Sequence, residues 1–171
     1  MKLFKIFSIL ISIILFVSPA IAGGINGKTM QAIANGDLAQ AKSIFSGHTI
    51  VMKRPNDNSG YRLEVKGVPV AGTFVAYLSS NGRILIWSKD AKKVISGVWA
   101  VVMSKGQKPK MLFCMNLSKQ KQKVPCMVVK YMGNVVFDSA KGNIFNLKSG
   151  GSVPASLPYS RSLSTIQKKI K

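Results

Sequence analysis

The chain has two cysteines, one histidine, one glutamate and twenty-five lysines and arginines with which to do chemistry. Both cysteines fall in MLFCMNLSKQKQKVPCMVV, where Cys114 and Cys126 flank Lys119, Lys121 and Lys123. A four-ligand metal site is not on offer, because there are only two thiols and the single His48 is far away in sequence. The Cys-x-x-Cys spacing of dithiol redox proteins is missing. In an exported chain, two cysteines without these options read as a disulfide. Setting Cys114 opposite Cys126 also sets Leu112 opposite Val128 and Phe113 opposite Met127, so apolar residues meet their like across a hairpin. Pro125 has no N–H to give a ladder. The pairing is therefore expected to start at the cysteines, with Met115 to Pro125 a polar loop carrying a cationic tip. Closing a loop of this size stabilises by ~3 kcal/mol in the chain-entropy model.

General acid–base catalysis needs a group that titrates near the working pH, a metal or an activated nucleophile. His48 and Glu64 are the only pair of that kind, and together with nearby bases they could cleave RNA if one cleft held both. The plainer reading is a surface histidine and a glutamate beside Arg62 and Lys66. No Gly-x-Ser-x-Gly elbow, phosphate loop, dinucleotide fingerprint or glycosidase-like carboxylate pair is present. Trp87, Trp99, Tyr61, Tyr77 and Tyr131 offer either a stacking platform for single-stranded nucleic acid or core packing. Core is the expectation. Asn116-Leu117-Ser118 matches a glycosylation acceptor, a chance match outside a eukaryotic secretory pathway.

Charge is the strongest compositional signal. The whole chain carries +20. Its five acids are Asp37, Asp57, Glu64, Asp90 and Asp138. Such a balance favours an anionic partner: envelope lipid, lipopolysaccharide, nucleic acid or an acidic protein. Lys119, Lys121 and Lys123 at the hairpin tip and Lys168, Lys169 and Lys171 at the end of the chain are the candidate anion-binding residues. No cofactor is indicated.

The elements that would position these groups follow from the hydrophobic pattern. Lys2 and Lys5, an apolar run from Ile6 to Val17 and Ala20-Ile21-Ala22 make residues 1–22 a secretory signal peptide, too short an apolar run to span a membrane. Its removal from 171 residues leaves 149, and the net charge drops by its two lysines to +18. That length suits one domain with a proper core, periplasmic or secreted. Residues 23–36 read as a flexible N-terminal segment. Asp37 and Gln40 form a capping box for a short helix with Leu38, Ala41 and Phe45 on one face and Gly47 at its stop.

From His48 the period becomes two. GYRLEVKG alternates apolar and polar residues, and GTFVAYLSS and RILIWSK flank Asn81-Gly82, the pair that suits a two-residue hairpin turn. SGVWAVVM, KMLFCMNL, VPCMVVKYM, NVVFDS and NIFNLKS supply further strands. An all-β antiparallel meander of about eight strands results, expected to close into a small lipocalin-like barrel that leaves no open edges, with a β-sandwich as the alternative. Residues 37–150 form this domain. Residues 151–171, with Gly151, Pro154, Pro158 and the closing Lys168-Lys169-Ile170-Lys171, read as a basic flexible tail.

In this order, the short helix before FSGHTI, then GTFVAYLSSNGRILIW, SGVWAVV, LFC, CMVV and GNIFNLKSG resemble a family of small exported bacterial proteins, domain of unknown function 995. The resemblance spans roughly Asp37 to Gly150; the lysine-rich link between the cysteines and the long basic tail depart from it. It implies a bacterial periplasmic or secreted β-domain and brings no activity with it. The expected function is a non-enzymatic exported β-domain that binds an anionic partner. A secreted ribonuclease using His48 and Glu64 and a protein-interaction or inhibitor module are the competing readings; a small apolar ligand inside the barrel would leave no mark in the sequence, where interior and wall positions look alike.

Overall fold

A computed structural model describes Met30, residues 33–53, 72–89 and 91–117, Val124 and residues 126–171. The leader, the strand expected in GYRLEVKG, Glu64 and the lysines at 119, 121 and 123 lie outside the described residues. Helix α1, Leu38–Phe45, begins where the capping residues place it: Asp37 Oδ1 accepts from the Gln40 amide at 2.6 Å. Ala41 and Phe45 are buried along its apolar face. The helix is followed by β1 (His48–Lys53), β2 (Thr73–Leu78), β3 (Arg83–Ser88), β4 (Ile95–Met103), β5 (Met111–Asn116), β6 (Cys126–Val128) and β7 (Val136–Lys141), with a second helix, α2, at Leu163–Lys169.

The seven strands form one antiparallel sheet in the order β6-β5-β4-β3-β2-β1-β7. They curl into a half-barrel, which makes the fold all-β and barrel-like. The chain itself requires the curl. β6 and β7 stand at opposite ends of the sheet, yet the single 3₁₀ segment Val129–Asn134 joins them. Six strand spacings laid flat would separate those ends by about 29 Å. Six residues of 3₁₀ helix rise only about 12 Å. The sheet must bend until the short link reaches, and the Lys53 amide donates to Val135 O at 2.8 Å where the link arrives.

The inner face of the curl holds the larger core. Ile50, Phe74, Ile86, Val101, Phe113 and Met127 line it, one from each of six strands. Phe45 of α1 fills its centre, with ring centroids 5.1 Å from Phe113 and 6.5 Å from Trp99. Met30 and Ile33 are buried in the same cluster. The segment 23–36 is therefore not wholly flexible: these two side chains have apolar surface to lose and find it under the sheet. The helix thus packs its Phe45 side chain into the inner face of the half-barrel.

Three local expectations change. The β2–β3 hairpin exists, but its loop is three residues, Ser80-Asn81-Gly82, closed by the Ser79 amide on Arg83 O at 2.8 Å. Only Gly82 has positive φ, +82°, the arrangement of a type I turn followed by a left-handed residue. VPCMVVKYM is a strand only at Cys126–Val128 before it turns into the 3₁₀ link. NIFNLKS is irregular, because Asn143 Oδ1 accepts from the Leu147 amide at 2.9 Å and Asn143 Nδ2 donates to Leu147 O at 2.9 Å, which folds the segment on itself. Its apolar residues are nonetheless buried, as a strand's would be: Phe145 and Leu147 pack on the outside of the sheet.

The largest correction concerns residues 151–171. They are not a loose tail. Leu157, Leu163 and Ile166 are buried with Phe145 and Leu147 against Val51, Val75, Leu85 and Trp87 on the outer face of β1–β3. Trp87 Nε1 donates to Ala155 O at 3.0 Å, and the Val94 amide donates to Gly151 O at 2.8 Å. Asp138 Oδ2 accepts from the Leu163 amide at 2.8 Å at the start of α2. The Pro and Gly residues stop regular structure without stopping packing, and Leu163, Ile166 and half-buried Ile170 give the end of the chain one apolar stripe.

Candidate functional site

The cysteine hairpin has the register read from its sequence. Cys114 pairs with Cys126, Phe113 with Met127 and Leu112 with Val128, and the β5–β6 ladder starts at the cysteines. A disulfide joins them across Cα atoms 4.1 Å apart, close to the spacing of a non-hydrogen-bonded pair. Neither sulfur is a free thiol, so the pair staples two strands.

His48 opens β1 between Leu78 of β2 and Lys141 of β7. Its ring is half-buried, with Nδ1 2.9 Å from Ser46 O. Among the described residues no group of three or more His, Cys, Asp or Glu side chains comes together. Trp87 and Trp99 are buried and use their indole N–H groups on Ala155 O and Ser79 O, each at 3.0 Å. They belong to the core and do not form a stacking platform.

Charge is arranged more tellingly. The described residues include sixteen bases and two acids. Every one of those bases but Lys53 is exposed. Of the acids, Asp37 caps α1 and Asp138 accepts from the Ser139 and Leu163 amides, so both carboxylates are already engaged by backbone donors. Lys168 and Lys169 end α2 on its exposed side and Lys171 follows, also exposed. From Ala91 to Phe137 the sequence has no acid at all. That acid-free stretch holds β4, β5 and β6.

Those strands also carry what the sequence reading missed. β4 is apolar on both faces. Trp99 and Val101 point inward, whereas Val98 is 55 % exposed and Val102 40 % exposed on the outside, with exposed Ala100 between them. Leu112 and Val128 extend the outer row across β5 and β6, opposite Val102 and each other. Arg83 pairs with Val98 at one end of this row. At the other end the β4–β5 hairpin presents exposed Met103, Lys105, Lys108 and Lys110. Gly97 allows β5 to approach β4 here, because a Cβ at that position would overlap Asn116 O. One signal for the patch was present in the sequence: SGVWAVVM lacks the polar alternation of a strand with one wet face, and a lysine hairpin follows directly.

No helix among the described residues is long and apolar enough to cross a membrane. Comparison with protein-family models, curated proteins and solved structures finds no match.

Proposed function

We propose that this chain is a non-enzymatic, exported β-domain that binds an anionic partner through a lysine-rich surface. The observation that carries the reading is the imbalance of the exposed surface: fifteen exposed bases among the described residues, and two acids whose carboxylates are occupied by backbone amides. With almost no competing negative charge, the bases sum to a positive field that reaches about a Debye length, ~8 Å, into physiological saline. Lys168, Lys169 and Lys171 are within this surface, and Lys119, Lys121 and Lys123 are assigned to it from the sequence. Export is supported by the leader-like residues 1–22 and is compatible with the disulfide, since such bonds persist in oxidising compartments.

Binding of a labelled single-stranded RNA, followed across a salt series and over time, tests the reading. Counterion release makes the logarithm of affinity fall linearly with the logarithm of salt, by ~0.7 for each neutralised phosphate of a single strand. The expected result is such a steep slope for RNA and for other polyanions, with the RNA left intact. A shallow slope, or no binding to any polyanion at low salt, would overturn it. Cleavage that disappears in His48→Ala would promote an enzyme in its place.

A further inference from the structure

The apolar outer row of β4–β6 is the one feature of the described surface that a purely electrostatic binder has no use for. On the neighbouring strands the equivalent face is covered by the chain's own C-terminal segment. On β4 it ends in solvent, with Val98 and Val102 each more than one-third exposed. Among the described residues, the bases that flank it along the chain are Arg83, paired with Val98, and Lys105, Lys108 and Lys110 of the β4–β5 hairpin. An acid-free run from Ala91 to Phe137 supplies all of them but Arg83.

Resting on the anionic-partner reading, we propose that this face seats on an anionic lipid bilayer, with the side chains of Val98 and Val102 entering the acyl boundary and the arginine and lysines lying among the headgroups. Charge complementarity selects this occupant over the alternatives. A second copy docked face to face would set the same cations against one another, with no acid beside them among the described residues, and like charges held in contact oppose association. A nucleic acid would satisfy the bases but would leave the aliphatic side chains wet, because valine has no flat face on which bases stack. A bilayer surface meets both demands at once: apolar side chains gain burial in proportion to area, and each base near an anionic headgroup adds its own attraction. The β4–β5 hairpin carries both groups of residues, the aliphatic ones on β4 and the lysines in the loop that follows it.

The test uses protein recovered from the periplasm of an expressing bacterium, with its mass measured to establish whether residues 1–22 are present. Sedimentation with vesicles of phosphatidylglycerol and phosphatidylcholine is compared with binding of single-stranded RNA. The double variant Val98→Ser, Val102→Ser is expected to lose about tenfold in partitioning to the vesicles, with RNA affinity unchanged. Equal vesicle binding by variant and parent would overturn the lipid face and leave the anionic-partner reading standing, provided that RNA still binds. Loss of binding to RNA and vesicles alike by the parent protein would sink both. Self-association of the parent that the same two substitutions abolish would assign the face to a second copy and overturn the proposal.

A second variant reads insertion directly. In Val102→Trp, emission is expected to shift to the blue on anionic vesicles and to be quenched by bromine placed on the acyl chains. The native Trp87 and Trp99 are buried and contribute a constant background. A protein that binds these vesicles without that quenching is held by headgroup charge alone, which would also overturn the proposal.

Discussion

Strands β1, β2 and β3 are covered on both faces, whereas β4, β5 and β6 are covered on one. In the first group, Val51, Val75, Leu85 and Trp87 look outward and are buried by Leu157, Leu163 and Ile166. In the second, Val98, Ala100 and Val102 look outward and meet solvent. Both groups share the inner core around Phe45, so the difference does not come from how the sheet is built. It comes from where the last twenty residues go. Apolar surface on the outside of a sheet is stabilising only if something lies over it, and residues 151–171 lie over one half. The half left open lies in the acid-free run from Ala91 to Phe137, with Arg83 paired to Val98 at its edge and Lys105, Lys108 and Lys110 in its hairpin, which ties the open face to the proposed partner.

Four changes would break or sharpen this contrast. Trp87→Ala acts on the doubly covered half, removing a fully buried indole from between the sheet and the C-terminal segment along with its bond to Ala155 O. It should cost about 3–5 kcal/mol, visible as a lower denaturant midpoint. Reducing the Cys114–Cys126 bridge acts on the open half, where β6 is a three-residue edge strand held by the staple. A loss of ~3 kcal/mol is expected, with the fold retained in far-ultraviolet circular dichroism. Free thiols in protein taken from an oxidising compartment would show that the pairing does not form there.

Asp138→Ala should cost about 1–2 kcal/mol, because it leaves the Leu163 amide at the start of α2 without its acceptor. Hydrogen exchange should then rise first in 157–171, and a uniform rise instead would mean that the segment opens only with the whole fold. The smallest effect belongs to the pair Val98→Ser, Val102→Ser. Exposed positions with no special role change stability by about 0.5 kcal/mol or less. A much larger loss would show that the outer row is packed after all.

Local pattern made much of the fold legible. The cap at Asp37 and the stripe Leu38, Ala41, Phe45 fixed α1 because both are properties of residues three and four apart. The hairpin at Asn81-Gly82 followed from one glycine, and the cysteine register from matching apolar neighbours across a short loop. Reading failed where a segment's environment lay far away in sequence. Prolines and glycines in 151–171 correctly predicted irregular backbone, but whether irregular backbone packs depends on an apolar face elsewhere, here Val51, Val75 and Trp87. Phe145 and Leu147 were recognised as apolar and placed in a strand, although a local asparagine turn had already claimed the backbone.

By itself, then, the sequence determined the class of the molecule: a disulfide-stapled, antiparallel β-domain with a large positive charge. Those properties depend on composition and on neighbours within a few residues, so they can be read without knowing the path of the chain. The tertiary structure alone decided which apolar faces are covered. Both β3 and β4 are written as apolar strands, and nothing local distinguishes Trp87 from Val98. The short link from β6 to β7 bends the sheet around α1, and Asp138 anchors the C-terminal helix over one half of its outer surface. Val98 and Val102 are left outside because burial is decided by contacts distant in sequence, which no spacing of residues along the chain encodes.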